Sequence, residues 1–254
     1  MLGHITADAG SVHIANYDVA KQRAKALQKT GAIFETPTFY DYLSADTNLD
    51  YYTTLTGKTD PKKREEVIRF VGLTTRMRDK VATFSHGMRQ RLALAQALLP
   101  DPDLLLFDEP NDGLDPQGII ETREMIHSLR ADQGKTIIFS SHILSEVERL
   151  CDRIAILHQG RLVFCGKWQE ATGNQIRIQA KFKSPQNAWP VLSNAGAEHP
   201  EKVADDIYFL PKDIDLADLS AALCSANAGL QSFIPLASSL EDFYLRTLNN
   251  QPGS

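Results

Sequence analysis

The sequence has 254 residues, of which 43% are hydrophobic, and a formal net charge of −5. This length suits one large domain, or one domain with a smaller appendage, and the hydrophobic content predicts a packed core. The acidic balance argues against a protein built mainly to hold nucleic acid. No stretch approaches the roughly 18 apolar residues that a membrane-spanning helix needs, and the first residues lack the layout of a signal peptide. We therefore expect a cytoplasmic protein that meets a membrane only through a partner.

The beginning of the sequence predicts short elements. Residues 1–18 have the pattern of a helix end followed by a strand at residues 12–14. Residues 19–30 are polar and have a helix-forming composition. Residues 32–34 predict a short apolar strand, which ends at Glu35.

Residues 38–98 begin with an aromatic stretch and continue with helical patterns. The first part carries aromatic side chains, including Tyr40 and Tyr42, in a predicted loop. Such rings suit a protein interface, and they suit equally well the packing of a small helical subdomain. Residues 61–78 then have the spacing of an amphipathic helix, and residues 88–99 are strongly helical.

Ser85 has the position of an N-cap for the last of these helices. Backbone N–H groups and the positive end of the helix would then meet near Ser85 and Gly87, an arrangement that binds anions. A Ser-x-Gly sequence is also a common cap before helices with no such role. The neighbouring motifs must therefore decide between the two interpretations.

An apolar run at residues 104–107 ends on two adjacent carboxylates. The run lies between Pro102 and Pro110, and its length is typical of a strand buried on both faces of a parallel sheet. Asp108 and Glu109 then fall at its carboxyl end, where open α/β sheets bind ligands. Alternation along a strand predicts that the two side chains point to opposite sides. Solvated charges at an ordinary strand end would give the same pattern.

The next segment predicts a strand–helix–strand unit. Residues 111–116 form a turn-rich loop, residues 119–129 a crossover helix and residues 136–139 a β-branched strand. His142 follows this strand closely. It therefore falls at the same sheet edge as the two carboxylates.

The remaining residues predict a hairpin and a separate small domain. Ser145 and Glu148 have the spacing of a capping box. Residues 153–165 predict a closing hairpin, residues 166–174 a linker, and residues 175–183 alternate as in a half-buried strand. Further strands are predicted at residues 207–210 and around residue 233, with helices at residues 216–226 and 240–248.

Four of these motifs, in this order, resemble those of the ATP-binding subunit of an ABC transporter. The sequence FSHGMRQR at residues 84–91 is similar to the signature motif, and LLLFDEP at residues 104–110 is similar to Walker B. NDGLDP at residues 111–116 is similar to the D-loop, and SSH at residues 140–142 to the H-loop. The resemblance covers about residues 1–170 strongly and the remainder weakly.

The resemblance implies an α/β fold of the P-loop NTPase type, with a mostly parallel sheet and a helical subdomain at about residues 38–98. The ATPase domain would occupy residues 1–171. Residues 175–254 would form the small α+β domain carried by many exporter-type subunits, such as those for drugs and antibiotic peptides. The resemblance also implies ATP and Mg²⁺ as cofactors, and a second ATPase subunit and a transmembrane permease subunit as partners, with no nucleic acid.

The resemblance assigns roles to residues of the motifs. Glu109 would polarise the attacking water, His142 would touch the γ-phosphate, and Asp108 would hold Mg²⁺. Glu35 stands where the family usually has a glutamine that touches metal and water, and a carboxylate can still bind Mg²⁺. His86 stands where a second glycine is common, so its side chain narrows the approach of the nucleotide. The other nucleotide-binding positions are Ser85, Gly87, Gln90 and Asp115.

A phosphate loop, which holds the ATP phosphates in this family, is not found in the sequence. Three runs imitate it, namely Gly57-Lys58-Thr59, Gly134-Lys135-Thr136 and Gly166-Lys167-Trp168. A phosphate loop needs a glycine five positions before its second glycine, and those positions hold Tyr52, Leu129 and Arg161. We interpret each run as a turn. The resemblance places the Walker A region upstream of Met1, so we expect an N-terminally truncated ATPase domain that hydrolyses ATP poorly on its own.

Two functions stay open on the sequence. The first is an ATP-hydrolysing subunit that energises export through a separate membrane subunit. The second is a non-hydrolysing regulatory or interaction subunit that pairs with a complete ATPase. Chromosome and repair ATPases of the same fold would need a long coiled-coil insertion before the signature motif, and residues 51–83 are too few for one. In both cases the permease subunit would hold the protein on the inner face of the cell membrane.

Overall fold

The computed structural model describes residues 2–57, 60–167, 175–197, 206–211, 213–236 and 239–249. The chain forms two compact units, Met1–His142 and Ile143–Ser254. Residues 166 and 167 of the predicted linker instead belong to the strand Arg161–Lys167. The rest of the predicted linker, residues 168–174, lies outside the described residues, so the domain boundary stays a prediction.

A parallel sheet organises the first unit. Its strands are β3 (Thr30–Ile33), β4 (Leu104–Asp108) and β5 (Thr136–Ser140), in the order β3-β4-β5. Ile33 pairs with Phe107, and Asp108 pairs with Ser140. The carboxyl ends of the strands therefore meet at one edge, and the predicted parallel α/β sheet is confirmed.

Strand β4 is fully buried on one face only. Leu105 and Phe107 are buried, whereas Leu104 and Leu106 are half-buried. The prediction of a strand buried on both faces is thus wrong for the second face. Leu104 packs there against a small cluster of residues from the start of the chain, namely Ile14, Val19 and Ala26.

The start of the chain forms a small hairpin and one short helix. These are β1 (His13–Ile14), β2 (Tyr17–Asp18) and α1 (Arg23–Leu27). The helix end predicted before the hairpin is wrong, because residues 2–12 are not helical. Gly3 and Gly10 have φ values of 71° and 85°, which lie in the left-handed region and interrupt a right-handed helix.

A helical subdomain separates β3 from β4. It contains α2 (Ala45–Thr56), α3 (Pro61–Phe70) and α4 (His86–Leu98), with 3₁₀ turns at Thr74–Arg76 and Val81–Thr83. Helix α3 ends before the predicted residue 78, because Gly72 has a φ of 70°. Arg64 of α3 forms ion pairs with Asp46, at 2.7 Å, and with Asp50. These contacts hold α2 against α3.

Gly31 allows α4 to pack closely on the sheet. A Cβ atom added at Gly31 would lie 2.5 Å from the backbone oxygen of Ala97 in α4. This distance is well inside a normal contact, and the obstacle is backbone. A side chain at position 31 would therefore push α4, and the signature motif at its start, away from β3.

Helix α5 (Pro116–Ala131) connects β4 to β5 as the predicted crossover helix. Asp115 is its N-cap and accepts a hydrogen bond from the backbone N–H of Gly118 at 2.8 Å. Pro116 follows at the first helical position, where its missing N–H has no cost.

The second unit contains a hairpin and a three-stranded antiparallel sheet. Its elements are α6 (Leu144–Leu150), β6 (Arg153–His158), β7 (Arg161–Lys167), β8 (Gln175–Phe182), α7 (Pro185–Asn194), β9 (Ile207–Pro211), α8 (Leu216–Ser225), β10 (Leu230–Leu236) and α9 (Leu240–Asn249). The sheet order is β10-β8-β9. Ile178 and Ala180 of β8 are fully buried under α7 and α8, which confirms the predicted alternation.

Two local predictions for this unit are corrected. Ser145 does not cap α6, because the N-cap is Ile143 and makes no side-chain cap hydrogen bond. Glu148 instead accepts a long hydrogen bond from the backbone N–H of Leu240, at 3.5 Å. Helix α9 accordingly packs on the hairpin, where Leu240 joins a cluster with Ile154 and Ile156.

Within the described parts of the chain, no helix is both long enough and apolar enough to cross a bilayer.

Candidate functional site

The carboxyl ends of β4 and β5 bring the predicted catalytic residues together. Asp108 is the last residue of β4 and pairs with Ser140, the last residue of β5. Glu109 follows β4 directly, and His142 lies two residues beyond β5. The imidazole Nδ1 of His142 lies 3.0 Å from Glu109 Oε2. Residues far apart in the sequence thus form one cluster.

Ser140 joins the carboxylate of Asp108 to the backbone of Glu109. Its hydroxyl donates to Asp108 Oδ1 at 2.7 Å and accepts from the backbone N–H of Glu109 at 3.1 Å. The sequence analysis gave Ser140 no role of its own. Its role follows from the register of β4 against β5, which pairs Ser140 with Asp108 and which no local sequence pattern fixes.

Glu109 lies outside the strand, in the left-handed backbone region. Its φ is 46°, which is uncommon for a residue with a long side chain and is associated with functional sites. The strand ends at Asp108, so the prediction that strand alternation points the Asp108 and Glu109 side chains to opposite sides does not apply to Glu109. Its backbone oxygen accepts from the N–H of Asp112 at 3.1 Å, and this turn holds the unusual conformation.

The contact between Glu109 and His142 has two parts. Glu109 Oε2 accepts from Nδ1 and, at 3.3 Å, from the backbone N–H of His142. Because an ionised carboxylate only accepts, the proton of this contact lies on Nδ1. The His142 side chain is 67% exposed and that of Glu109 only 25%, so the ring is the more accessible group.

The donor set at this edge suits Mg²⁺. Magnesium takes oxygen ligands and is usually held by one or two carboxylates together with substrate phosphates and water. Asp108 is exposed, with one oxygen held by Ser140, and Glu35 is exposed just beyond the end of the neighbouring β3. No cluster of three or more metal-ligating side chains occurs among the described residues.

The start of α4 forms a second group of predicted site residues. Ser85 is the N-cap, with its hydroxyl accepting from the N–H of Met88 at 3.3 Å. Gly87 lies in the first turn, where an added Cβ would be 3.6 Å from Leu114. The backbone N–H groups of a first helical turn have no partner within the helix. This end of α4 therefore has the donors that an anion needs.

The other predicted nucleotide-binding residues make contacts within the protein. His86 Nε2 lies 2.9 Å from the backbone oxygen of Asp112. The Gln90 side chain is buried and donates to the backbone oxygen of Glu35 at 3.3 Å. Asp115 caps α5. These contacts connect the signature helix to the ends of β3 and β4.

One of the runs that imitate a phosphate loop is a turn, as expected. Gly134 has a φ of 63° in the connection to β5, and Lys135 Nζ lies 2.8 Å from Asp101 Oδ1. The hydrogen bond from Lys135, with help from Lys63, lowers the pKa of the Asp101 carboxyl to about 2. Lys135 is thus committed to an ion pair. In the run Gly166-Lys167-Trp168, the first two residues belong to strand β7, so the interpretation as a turn is wrong for them. Residues 58, 59 and 168 of the other two runs lie outside the described residues.

Comparisons with known proteins agree with these motifs. The sequence model of the ABC transporter family matches residues 1–112. The chain is 47% identical over 163 residues to the uncharacterised ABC transporter ATP-binding protein YhcH of Bacillus subtilis, a match that covers 64% of this chain and 53% of YhcH. It is 42% identical over 163 residues to the bacitracin transport ATP-binding protein BcrA of Bacillus licheniformis, covering 64% of this chain and 53% of BcrA. The chain thus spans about half the length of these two relatives.

In two further matches, the chain covers more than two thirds of the other protein's length. The uncharacterised ABC transporter ATP-binding protein YdbJ of Bacillus subtilis is 33% identical over 248 residues, covering 97% of this chain and 80% of YdbJ. A solved ATP-binding subunit of an ABC transporter superposes with a TM-score of 0.60 at 30% identity, covering 67% of this chain and 72% of that one. The extent and identity of the YdbJ match show that the chain belongs to the ABC transporter ATP-binding proteins.

Proposed function

We propose that this chain is an ATP-hydrolysing subunit that energises export through a separate membrane subunit. The observation that carries the proposal is the linked cluster at the sheet edge, in which Ser140 joins Asp108 to Glu109 and Glu109 contacts His142. A carboxylate for a metal, a carboxylate for water and an exposed imidazole can serve the water positioning and charge stabilisation on which phosphoryl transfer depends. Mg²⁺ would supply charge neutralisation at the phosphates.

Each residue of the cluster has a distinct proposed task. Asp108 presents an exposed carboxylate to the metal, with its orientation fixed by Ser140. Glu109 accepts the proton of an attacking water or polarises it. A protonated His142 can donate Nδ1–H to Glu109 and Nε2–H to a phosphate oxygen at the same time. The first turn of α4, with Ser85 and Gly87, supplies donors to the nucleotide of a second subunit.

We propose that the phosphate loop of this site lies outside residues 1–254. Among the described residues, β5 pairs only with β4, and Ile138 in its middle is 43% exposed. An open strand edge with an apolar residue is a ready partner for another strand. A parallel strand placed there would end beside His142. We propose that such a strand, on the same polypeptide or on a partner, carries the phosphate loop.

The proposal is tested by measuring ATP binding and subunit association. Residues 1–254 alone should bind ATP weakly and show negligible hydrolysis, since the loop that provides several phosphate donors is absent from them. With a subunit that carries a phosphate loop, ATP should induce a complex with nucleotide held between the chains. Strong ATP hydrolysis by residues 1–254 alone, with Glu109→Gln as a control for contaminating enzymes, would contradict the external origin of the phosphate loop. Failure of ATP to induce the complex would contradict the proposed function.

Because no phosphate loop is found in the sequence, a second function is also favoured. Without a phosphate loop beside Glu109, the chain would serve as a non-hydrolysing regulatory subunit that offers only Ser85 and Gly87 to a complete ATPase. The two functions differ in one measurement. A regulatory subunit would still associate in an ATP-dependent way, but Glu109→Gln would leave the turnover of the complex unchanged.

The proposed contact with the permease lies on the helical subdomain. Tyr40, Tyr42 and Tyr51 form an aromatic group with T-shaped contacts, and they are 47%, 70% and 54% exposed. The buried Asn48 side chain accepts from the N–H of Tyr40 at 2.9 Å and donates to its backbone oxygen at 3.1 Å. Exposed aromatic rings on a fixed backbone suit a protein interface. This arrangement supports the interface interpretation over subdomain packing.

Replacing Tyr40 and Tyr42 by alanine should weaken co-purification with the membrane subunit about tenfold or more, because buried aromatic anchors dominate interfaces. The backbone contacts of Asn48 do not use these rings, so the circular dichroism spectrum and thermal midpoint should change little. Leu157→Ala is a control, because Leu157 is also an exposed apolar residue, 70% exposed, and lies in the second unit. It should leave co-purification with the membrane subunit unchanged. A loss of folding together with binding would instead indicate that the rings belong to the core.

The name of BcrA refers to bacitracin transport. We propose a related class of cargo, an amphipathic antibiotic or drug moved outward, with the subunit held on the inner membrane face by its permease.

A further inference from the structure

We propose that His86 is a positioning residue that joins the signature loop to the loop at residues 111–115, and through it to Glu109. A glycine is common at this position in the family, so the contact depends on the side chain that this chain carries. The proposed role concerns how the site is held in place. It does not require His86 to touch the nucleotide.

The first observation is the direction of the ring. His86 Nε2 lies 2.9 Å from the backbone oxygen of Asp112. A carbonyl oxygen only accepts, so Nε2 must carry the proton, and this fixes the tautomer of a neutral ring. The nitrogen that a nucleotide phosphate could use is thus already engaged with the protein.

The second observation is the fit between the two loops. A Cβ atom added at Gly113 would lie 3.4 Å from His86 Nε2 and 3.5 Å from its Cδ2, so the outer end of the ring contacts a residue without a side chain. Gly113 also has a φ of 67°, which favours glycine. The next residue, Leu114, lies near Gly87, which follows His86. Residues 86 and 87 of the signature loop thus contact residues 113 and 114 of the other loop.

The third observation is the route from this contact to Glu109. The N–H of Asp112 donates to the backbone oxygen of Glu109 at 3.1 Å, and the N–H of Leu114 donates to that of Asn111 at 3.3 Å. Glu109 is held at the other side by Ser140. Hydrogen bonds and the loop backbone thus connect the start of α4 to the backbone of Glu109 and, through Ser140, to the Asp108 carboxylate.

These contacts have a consequence for a two-subunit site. In the proposed function, Ser85 and Gly87 meet a nucleotide held by a second subunit, whereas Glu109 acts on the nucleotide beside its own chain. His86 lies between the two groups. A displacement of the signature loop would move Asp112 and alter the turn that holds Glu109 in its unusual conformation. This last step rests on the proposed function, but the contact itself does not.

The test uses residues 1–254 without nucleotide and measures hydrogen exchange of the Asp112 and Leu114 amides by NMR. In His86→Phe, which keeps a ring but has no donor, exchange should rise about fivefold, the effect expected from losing one hydrogen bond. In His86→Gln, whose Nε2 can reach the same oxygen, exchange should stay within about twofold of the wild type. His127→Phe on the exposed face of α5 is the matched control and should change neither amide.

A second measurement needs no variant. Long-range proton–nitrogen spectra of the wild type should show His86 protonated at Nε2. A ring protonated only at Nδ1 would overturn the proposal, as would equal exchange in His86→Phe and the wild type. A similar rise in the Phe and Gln variants would also overturn it, because the donor would then be irrelevant.

The final measurement is ATP-dependent association with a subunit that carries a phosphate loop. His86→Phe should weaken it several-fold and His86→Gln should restore it. If the wild type itself does not associate, the proposed function fails, while the exchange experiment still decides the role of His86.

Discussion

Replacing Glu109 by glutamine should lower ATP turnover about 10²- to 10⁴-fold, the range contributed by a general base. Glutamine keeps the length of the side chain and an oxygen that can accept from the backbone N–H of His142, which contacts Glu109 at 3.3 Å. It removes the negative charge that draws a proton from the attacking water. ATP-dependent association of the subunits should therefore remain, and hydrolysis should not.

The assay uses an assembly in which a phosphate loop lies beside Glu109, whichever polypeptide supplies that loop. Steady-state phosphate release gives turnover, and light scattering gives association. Glu65→Gln makes the same chemical change on the exposed side of α3 and should alter neither. Unchanged turnover in Glu109→Gln would remove this carboxylate from the mechanism and favour the regulatory function.

The sequence predicted which residues meet at the sheet edge, because parallel strands place their carboxyl ends together whatever their separation along the chain. An apolar run ending at Asp108 and another ending before His142 were sufficient for that. The predicted cap at Ser85 is also present, since Ser followed by a helical run is a local signal.

The details that depend on register and tertiary contact could not be predicted. Ser140 bonds to Asp108 only because the two residues pair across β4 and β5, and no local pattern fixes that register. The left-handed conformation of Glu109 depends on contacts with Asp112 and Ser140. The direction of the His86 ring depends on a loop 26 residues away. Each of these features became visible only when separate segments were packed together.

Helix α7 forms although its sequence contains a residue that disfavours helices. It spans Pro185–Asn194 and contains Pro190 in its interior, where proline normally removes a backbone hydrogen bond. The sequence therefore did not predict a helix here. The buried side chains of Ala188 and Leu192, which are 1% exposed, show that packing against the sheet outweighs the local preference.

Replacing Ser85 by aspartate should weaken ATP-dependent association about 100- to 1,000-fold without unfolding α4. Aspartate is as good an N-cap as serine, so the hydrogen bond from the N–H of Met88 should persist. A new negative charge would face the phosphates that the start of α4 is proposed to bind. Two unit charges 4 Å apart interact by about 4 kcal/mol at an effective dielectric constant of about 20, which corresponds to the upper end of that range.

Ser44 provides the matched control for this change. It caps α2 with φ −68° and ψ 160°, nearly the values of −64° and 166° at Ser85, and its hydroxyl accepts from the N–H of Thr47 at 3.1 Å. Ser44→Asp should therefore have the same effect on folding stability as Ser85→Asp and none on association. Titrating ATP against the mixed subunits measures both variants under the same conditions. Equal association by Ser85→Asp and Ser44→Asp would mean that the phosphates do not bind at the start of α4, because a negative charge at position 85 would otherwise repel them.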